Sequence, residues 1–80
     1  MAFAPTTNYV VDVTTADKPE LMDALIAVEG ILTVGDGGVY REDNTYSRVH
    51  IEALNAVWTL EQLDALLYSL NYDVVGIVAQ

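Results

Sequence analysis

The 80-residue chain contains no cysteine. That absence excludes a disulfide-stapled scaffold, a thiolate metal site and a cysteine nucleophile. Histidine occurs once, at His50, and basic residues three times, at Lys18, Arg41 and Arg48. No stretch of about 18 apolar residues is present, so no segment reads as a membrane-spanning helix. Met1 to Thr7 has neither the basic start nor the apolar centre of a secretory signal. No lipidation motif is found either. A reducing, cytoplasmic setting is the expectation from these absences.

What the chain has in excess is acid. Twelve Asp and Glu residues against three bases leave a net charge of −9. A surface of that sign is repelled by phosphate backbones and anionic lipid, which argues against direct nucleic-acid or membrane binding. Its natural complement is a basic protein surface. The simpler account is that acidity keeps a small domain soluble, although solubility alone usually mixes both signs. The length fits one domain, 1–80, with 1–7 expected as a flexible N-terminal arm. An apolar fraction of 52% is enough for one core and too high for a disordered chain.

Hydrophobic periodicity orders the elements. Residues 9–14 alternate as a strand, with Tyr9, Val11 and Val13 facing a core. A helix follows, with Asp17 as N-cap, Pro19 in the first turn and Glu20 completing a capping box. Leu21, Met22, Leu25, Ile26 and Val28 form its apolar face, and Gly30 is expected to stop it as a left-handed cap. A second strand runs through Ile31–Val34 and is interrupted by Gly35-Asp36-Gly37-Gly38, a turn or bulge. It can resume at Val39–Arg41 before a polar turn at residues 42–45. A third strand, Tyr46–Leu54, places Val49, Ile51 and Ala53 on one face and Arg48, His50 and Glu52 on the other. Thr59 and Gln62 form a second capping box, with Trp58 set to staple onto Leu63. Leu60, Leu63, Leu66, Leu67 and Leu70 make the stripe of that helix, and Asn71 suits its far end. Tyr72–Ala79 reads as a last, nearly continuous apolar strand. The order β-α-β-β-α-β with right-handed crossovers predicts a ferredoxin-like α/β (α+β) fold: a four-stranded antiparallel sheet with two helices on one face.

The chain carries few residues in patterns that support chemistry. His50 has only Glu52 within reach along its own face, and Ser47 falls on the opposite face without a nucleophile-elbow motif. His50-x-Glu52 supplies two ligands, too few to fix zinc. Asp36 among glycines lacks the alternating acids of a calcium loop. The same glycines lack the lysine and following helix of a phosphate loop. Neither catalysis nor a metal or other cofactor is expected.

The acids themselves form a pattern. Glu20/Asp23 and Glu61/Asp64 are spaced i, i+3, which sets their Cβ atoms about 5–6 Å apart on a helix. Asp17 and Glu29 extend the first row, and Asp36, Glu42 and Asp43 add carboxylates at loop ends. These nine residues are the candidate partner-binding set. Acids near helix N-termini also stabilise the helix dipole, which accounts for Asp17, Glu20 and Glu61 without any partner.

Two resemblances bear on the reading. Asp17-Lys18-Pro19-Glu20-Leu21-Met22, after a first strand, resembles the Asp-Arg-Pro-Gly-Leu-Leu opening of ACT regulatory domains. That likeness spans about 25 residues in a shared strand–helix order, and implies a dimer binding an amino acid near the first turn. Glu20 stands where that family carries glycine. At the level of class, a compact acidic α/β chain without catalytic residues resembles phage-encoded inhibitors, including anti-CRISPR proteins and other DNA mimics. That likeness implies a monomer or homodimer that docks on a nucleic-acid-binding protein, such as a CRISPR effector, and blocks nucleic-acid access. A structural homo-oligomer formed through the open sheet face or the last strand is the third reading.

Overall fold

The computed structural model describes residues 5–39 and 45–80. Six elements follow one another: β1 (Thr6–Thr14), α1 (Lys18–Ile26), β2 (Ile31–Val39), β3 (Tyr46–Leu54), α2 (Leu60–Leu70) and β4 (Val74–Ala79). The strands form one sheet in the order β2-β3-β1-β4. Every pairing is antiparallel. This is the ferredoxin-like α+β arrangement. Each half of the chain crosses over by a helix and leaves room for a strand of the other half.

Alternation in β1 and β3 builds the core. Tyr9, Val11 and Val13 are buried from β1, and Val49, Ile51 and Ala53 from β3. They join Leu21 and Leu25 of α1 and Leu63 and Leu67 of α2 in one cluster, so both helices cover the same face. Ser47 is the one buried polar residue among the described residues, and its hydroxyl lies 2.9 Å from that of Thr15.

The strand alternation and the second helix match the sequence reading. The capping box is complete: Gln62 N–H donates to Thr59 Oγ1 at 3.2 Å and Thr59 N–H to Gln62 Oε1 at 2.9 Å. Asn71 closes the helix in the left-handed region at φ 62°. Trp58 packs against the core and donates its Nε1 hydrogen to Glu29 O at 2.8 Å. It thereby ties the start of α2 to the turn after α1.

Several expectations are corrected. Thr6 and Thr7 belong to β1, opposite Leu54 and Ala53, and not to an arm. Thr6 Oγ1 donates to Glu52 Oε2, and Asn55 N–H to Pro5 O, so this end is held to the end of β3. Residues 1–4 lie outside the described residues. Asp17 forms no side-chain cap, because its own backbone is helical (φ −90°, ψ −11°) rather than extended as a capping residue requires. Helix α1 ends at Ile26, where Val28 N–H bonds back three residues to Leu25 O and tightens the last turn. Gly30 comes later, at φ 91°, and reverses the chain into β2. A Cβ there would lie 2.6 Å from Val57 Cγ1 and 2.9 Å from Trp58 Nε1, so space as well as dihedral demands glycine. Ile26 is 67% exposed, and Leu60, at the first position of α2, stays outside the core. Strand β4 begins at Val74; Tyr72 and Asp73 form the bend before it. Strand β2 continues through the glycines, with register shifts at Ile31/Thr33 and Asp36/Val39. The proposed resumption at Tyr40 and Arg41 lies outside the described residues.

Candidate acidic docking surface

The two helices start from opposite ends of the sheet. Helix α1 begins where β1 ends and α2 where β3 ends, and these strands are antiparallel, with Thr14 opposite Tyr46 and Thr6 opposite Leu54. Helix α1 rests mainly on β2, and α2 mainly on β4, the two outer strands. Three inter-strand gaps separate those strands, or about 14 Å. The pairs Glu20/Asp23 and Glu61/Asp64 thus share a layer, as the fold requires, but occupy diagonally opposite corners of it. One continuous acidic row is not formed.

The corner at the start of α1 is structurally committed. Asp17 Oδ2 accepts from Asp73 N–H at 2.9 Å, holding the α2–β4 connection against the β1–α1 turn. Asp36 Oδ1 pairs with Lys18 Nζ and also accepts from Gly38 N–H at 2.7 Å. The Lys18 hydrogen bond, helped by the Gly38 amide, holds the Asp36 carboxyl below the ordinary aspartate range. These bonds link α1 to β2 and to the start of β4. Glu20 and Asp23 are exposed on α1 above them.

The other corner is different. Glu29 is brought there by the Trp58 hydrogen bond, next to the first turn of α2. Glu61 and Asp64 follow along the helix, both exposed. They line a groove of about 600 Å³ between α2 and β4, together with Tyr68, Asn71, Val75 and Gly76. Glu61, Asp64, Tyr68 and Asn71 recur at helical spacing, so one stripe of α2 forms the wall. Tyr68 is 90% exposed and Val75 58%. Among the described residues, no ion pair engages Glu20, Asp23, Glu29, Glu61 or Asp64. Lys18 and Arg48 are taken up by Asp36 and Asp12 instead. Glu42 and Asp43 of the candidate set lie outside the described residues.

The sheet face away from the helices carries the other polar residues. Arg48 Nε lies 3.4 Å from Asp12 Oδ1. That oxygen is buried and accepts no hydrogen bond, so the contact compensates it by charge rather than by a directed bond. His50 is exposed opposite Val10 on β1, and its ring covers Gly37, where a side chain would strike it. Glu52 is engaged by Thr6, and no ion pair joins it to His50. Ser47 lies on the buried face and does not face the imidazole. Among the described residues, no three His, Cys, Asp or Glu side chains are grouped to hold a metal ion. Among the described residues, no helix is long and apolar enough to cross a membrane.

Two features escaped the sequence reading: the Asp73 amide that engages Asp17, and Tyr68 on the groove wall. Tyr68 follows Glu61 and Asp64 at i+7 and i+4, a spacing that was visible in the sequence. The partner of Asp17 depends on a contact between residues 56 apart and carried no local signal. Searches with the chain return no matching family model, no matching curated protein and no matching solved structure.

Proposed function

We propose that the chain is a non-catalytic binding protein, an acidic inhibitor of the anti-CRISPR or DNA-mimic kind. In this reading it docks by charge on a basic, nucleic-acid-binding surface of another protein and blocks nucleic-acid access. One observation carries the proposal. The helical carboxylates Glu20, Asp23, Glu61 and Asp64 are exposed without cationic partners among the described residues, while Lys18 and Arg48 neutralise acids elsewhere. An exposed carboxylate without an internal cation keeps its full field for an external one.

The experiment is a competition. A basic nucleic-acid-binding protein, such as a CRISPR effector, is bound to duplex DNA, and the chain is titrated in at rising salt. The reading expects displacement of DNA that weakens steeply with salt, because rim-exposed ion pairs are screened. It also expects a large loss when Glu20, Asp23, Glu61 and Asp64 are changed together to Gln or Asn. Salt-insensitive displacement, or unchanged displacement by the fourfold variant, overturns it. The amino-acid-binding alternative centres on Asp17, whose carboxylate is already engaged by the Asp73 amide.

A further inference from the structure

Strand β4 is an outer strand, paired among the described residues only with β1. Its six residues, Val74–Ala79, include no charge and no proline. Natural edge strands are often blunted by charge, proline or a bulge, because their unpaired amides and carbonyls template further pairing. The one register shift of β4 lies at its start, opposite Asp12/Val13, and leaves Ile77 to Ala79 in regular ladder. The direction of those amides follows from the ladder. Gln80 N–H donates to Asn8 O at 2.8 Å, and Val78 stands opposite Val10. Antiparallel strands alternate their bonds from residue to residue. The Ile77 and Ala79 amides therefore point away from β1. Beside this edge runs the groove floored by Val75 and Gly76 and walled by Tyr68, Asp64 and Glu61 of α2.

We infer that the β4 edge and the α2 groove together form a strand-addition site for an extended, basic segment of a partner protein. The inference rests on the docking reading and names the element that does the docking. The backbone of the incoming segment pairs with β4, which supplies affinity without regard to sequence. Side chains alternate along an added strand, so every second one enters the groove. There Tyr68 and Val75 offer apolar surface, and Glu61 and Asp64 offer charge to lysine or arginine at the mouth. Charge selects this occupant over a second copy of the chain. A copy brings another −9 and sets Glu61 and Asp64 near their own kind.

The test uses the whole chain and amide exchange at Ile77 and Ala79, read by NMR. The probe is an alternating lysine–valine decapeptide; an alternating glutamate–valine peptide is the control. The lysine peptide should slow exchange at both amides, and the glutamate peptide should not. Glu61→Gln with Asp64→Asn should weaken lysine-peptide binding about five- to tenfold, from two exposed ion pairs near the middle of their usual range. Ala79→Pro removes an outward amide while leaving the ladder to β1, and should abolish protection at Ile77. If Ala79→Pro disturbs the fold, Val75→Lys serves instead: it places a cation on the groove floor, on a residue already mostly exposed. Binding of a folded basic domain at low salt without protection of these amides overturns strand addition and leaves the docking reading standing. Binding of neither probe at low salt overturns both. Protection that grows with chain concentration in the absence of peptide assigns the edge to a second copy and overturns the basic occupant.

Discussion

The two outer strands of the sheet are built to opposite specifications. Strand β2 holds three glycines, two register shifts and an aspartate paired to Lys18. Strand β4 holds a single glycine, one irregularity opposite Asp12/Val13, and valines that face solvent at positions 75 and 78. Bulges and charge twist or block an edge, whereas an uncharged apolar edge invites pairing. The helix above each strand follows the same division. Beside β2, Asp36 carries internal bonds to Lys18 and Gly38, and Asp17, at the start of α1, ties that helix to the residue before β4. Beside β4, Glu61 and Asp64 make no ion pair among the described residues. Acidity in this chain thus serves two purposes, and net charge alone does not separate them.

The strongest way to break that contrast is to detach the helix that walls the groove. Leu67→Ala empties a site 2% exposed beneath α2 and should cost about 2–5 kcal/mol. Leu25→Ala should cost a similar amount under α1. For so small a domain either change approaches the whole stability, and urea melts compare them. A smaller loss for Leu67 would mean that the β4 side is the looser half.

Gly30→Ala comes next. It combines a positive φ with contacts too close to Val57 and Trp58, and should cost about 1–3 kcal/mol by strain. The turn joins the end of α1 to the start of α2 through Trp58, so the loss falls on both halves. Thr59→Ala removes one side of the capping box and should cost about 1 kcal/mol, on the β4 side only. Hydrogen exchange should show faster opening of α2 with α1 unchanged.

The smallest effect sharpens the contrast by pH. The Asp36 carboxyl is held below its ordinary range by Lys18 and then Gly38. A lowered folded value means that the ionised form favours the native state, so its contribution is complete above the ordinary aspartate range. It is lost as pH falls through the lowered value. Asp36 is exposed, so the contribution is modest and weakens with salt. A carboxyl titration by NMR should place Asp36 below an unstructured reference. In Asp36→Asn that part of the acid dependence of stability should vanish.

Much of the fold was legible because its signals are local. Alternation at Tyr9–Val13 and Val49–Ala53 named the core face, and Thr59 with Gln62 named the start of α2. The first helix was read less well for a physical reason. Asp17 satisfies the composition rule for an N-cap, but its backbone is already helical and a distant amide competes for its carboxylate. Thr6 and Thr7 lacked apolar alternation, so their place in β1 was set by pairing to the end of β3 and not by their own pattern. The acids and the layer they share were found from the sequence, but not how the two pairs are placed within that layer. Helical spacing placed Glu20 near Asp23 and Glu61 near Asp64, but the relation between the two pairs depends on strand direction.

The sequence by itself determined the element order, the core faces and the sign of the surface, because periodicity, capping and net charge act over a few residues or over the whole chain. Tertiary structure alone decided which acids remain unpaired and which edge stays open. Those outcomes depend on antiparallel strands starting the helices from opposite ends, and on contacts between residues far apart in the chain. Lys18 reaches Asp36, Asp17 reaches Asp73, and β4 has one strand neighbour among the described residues.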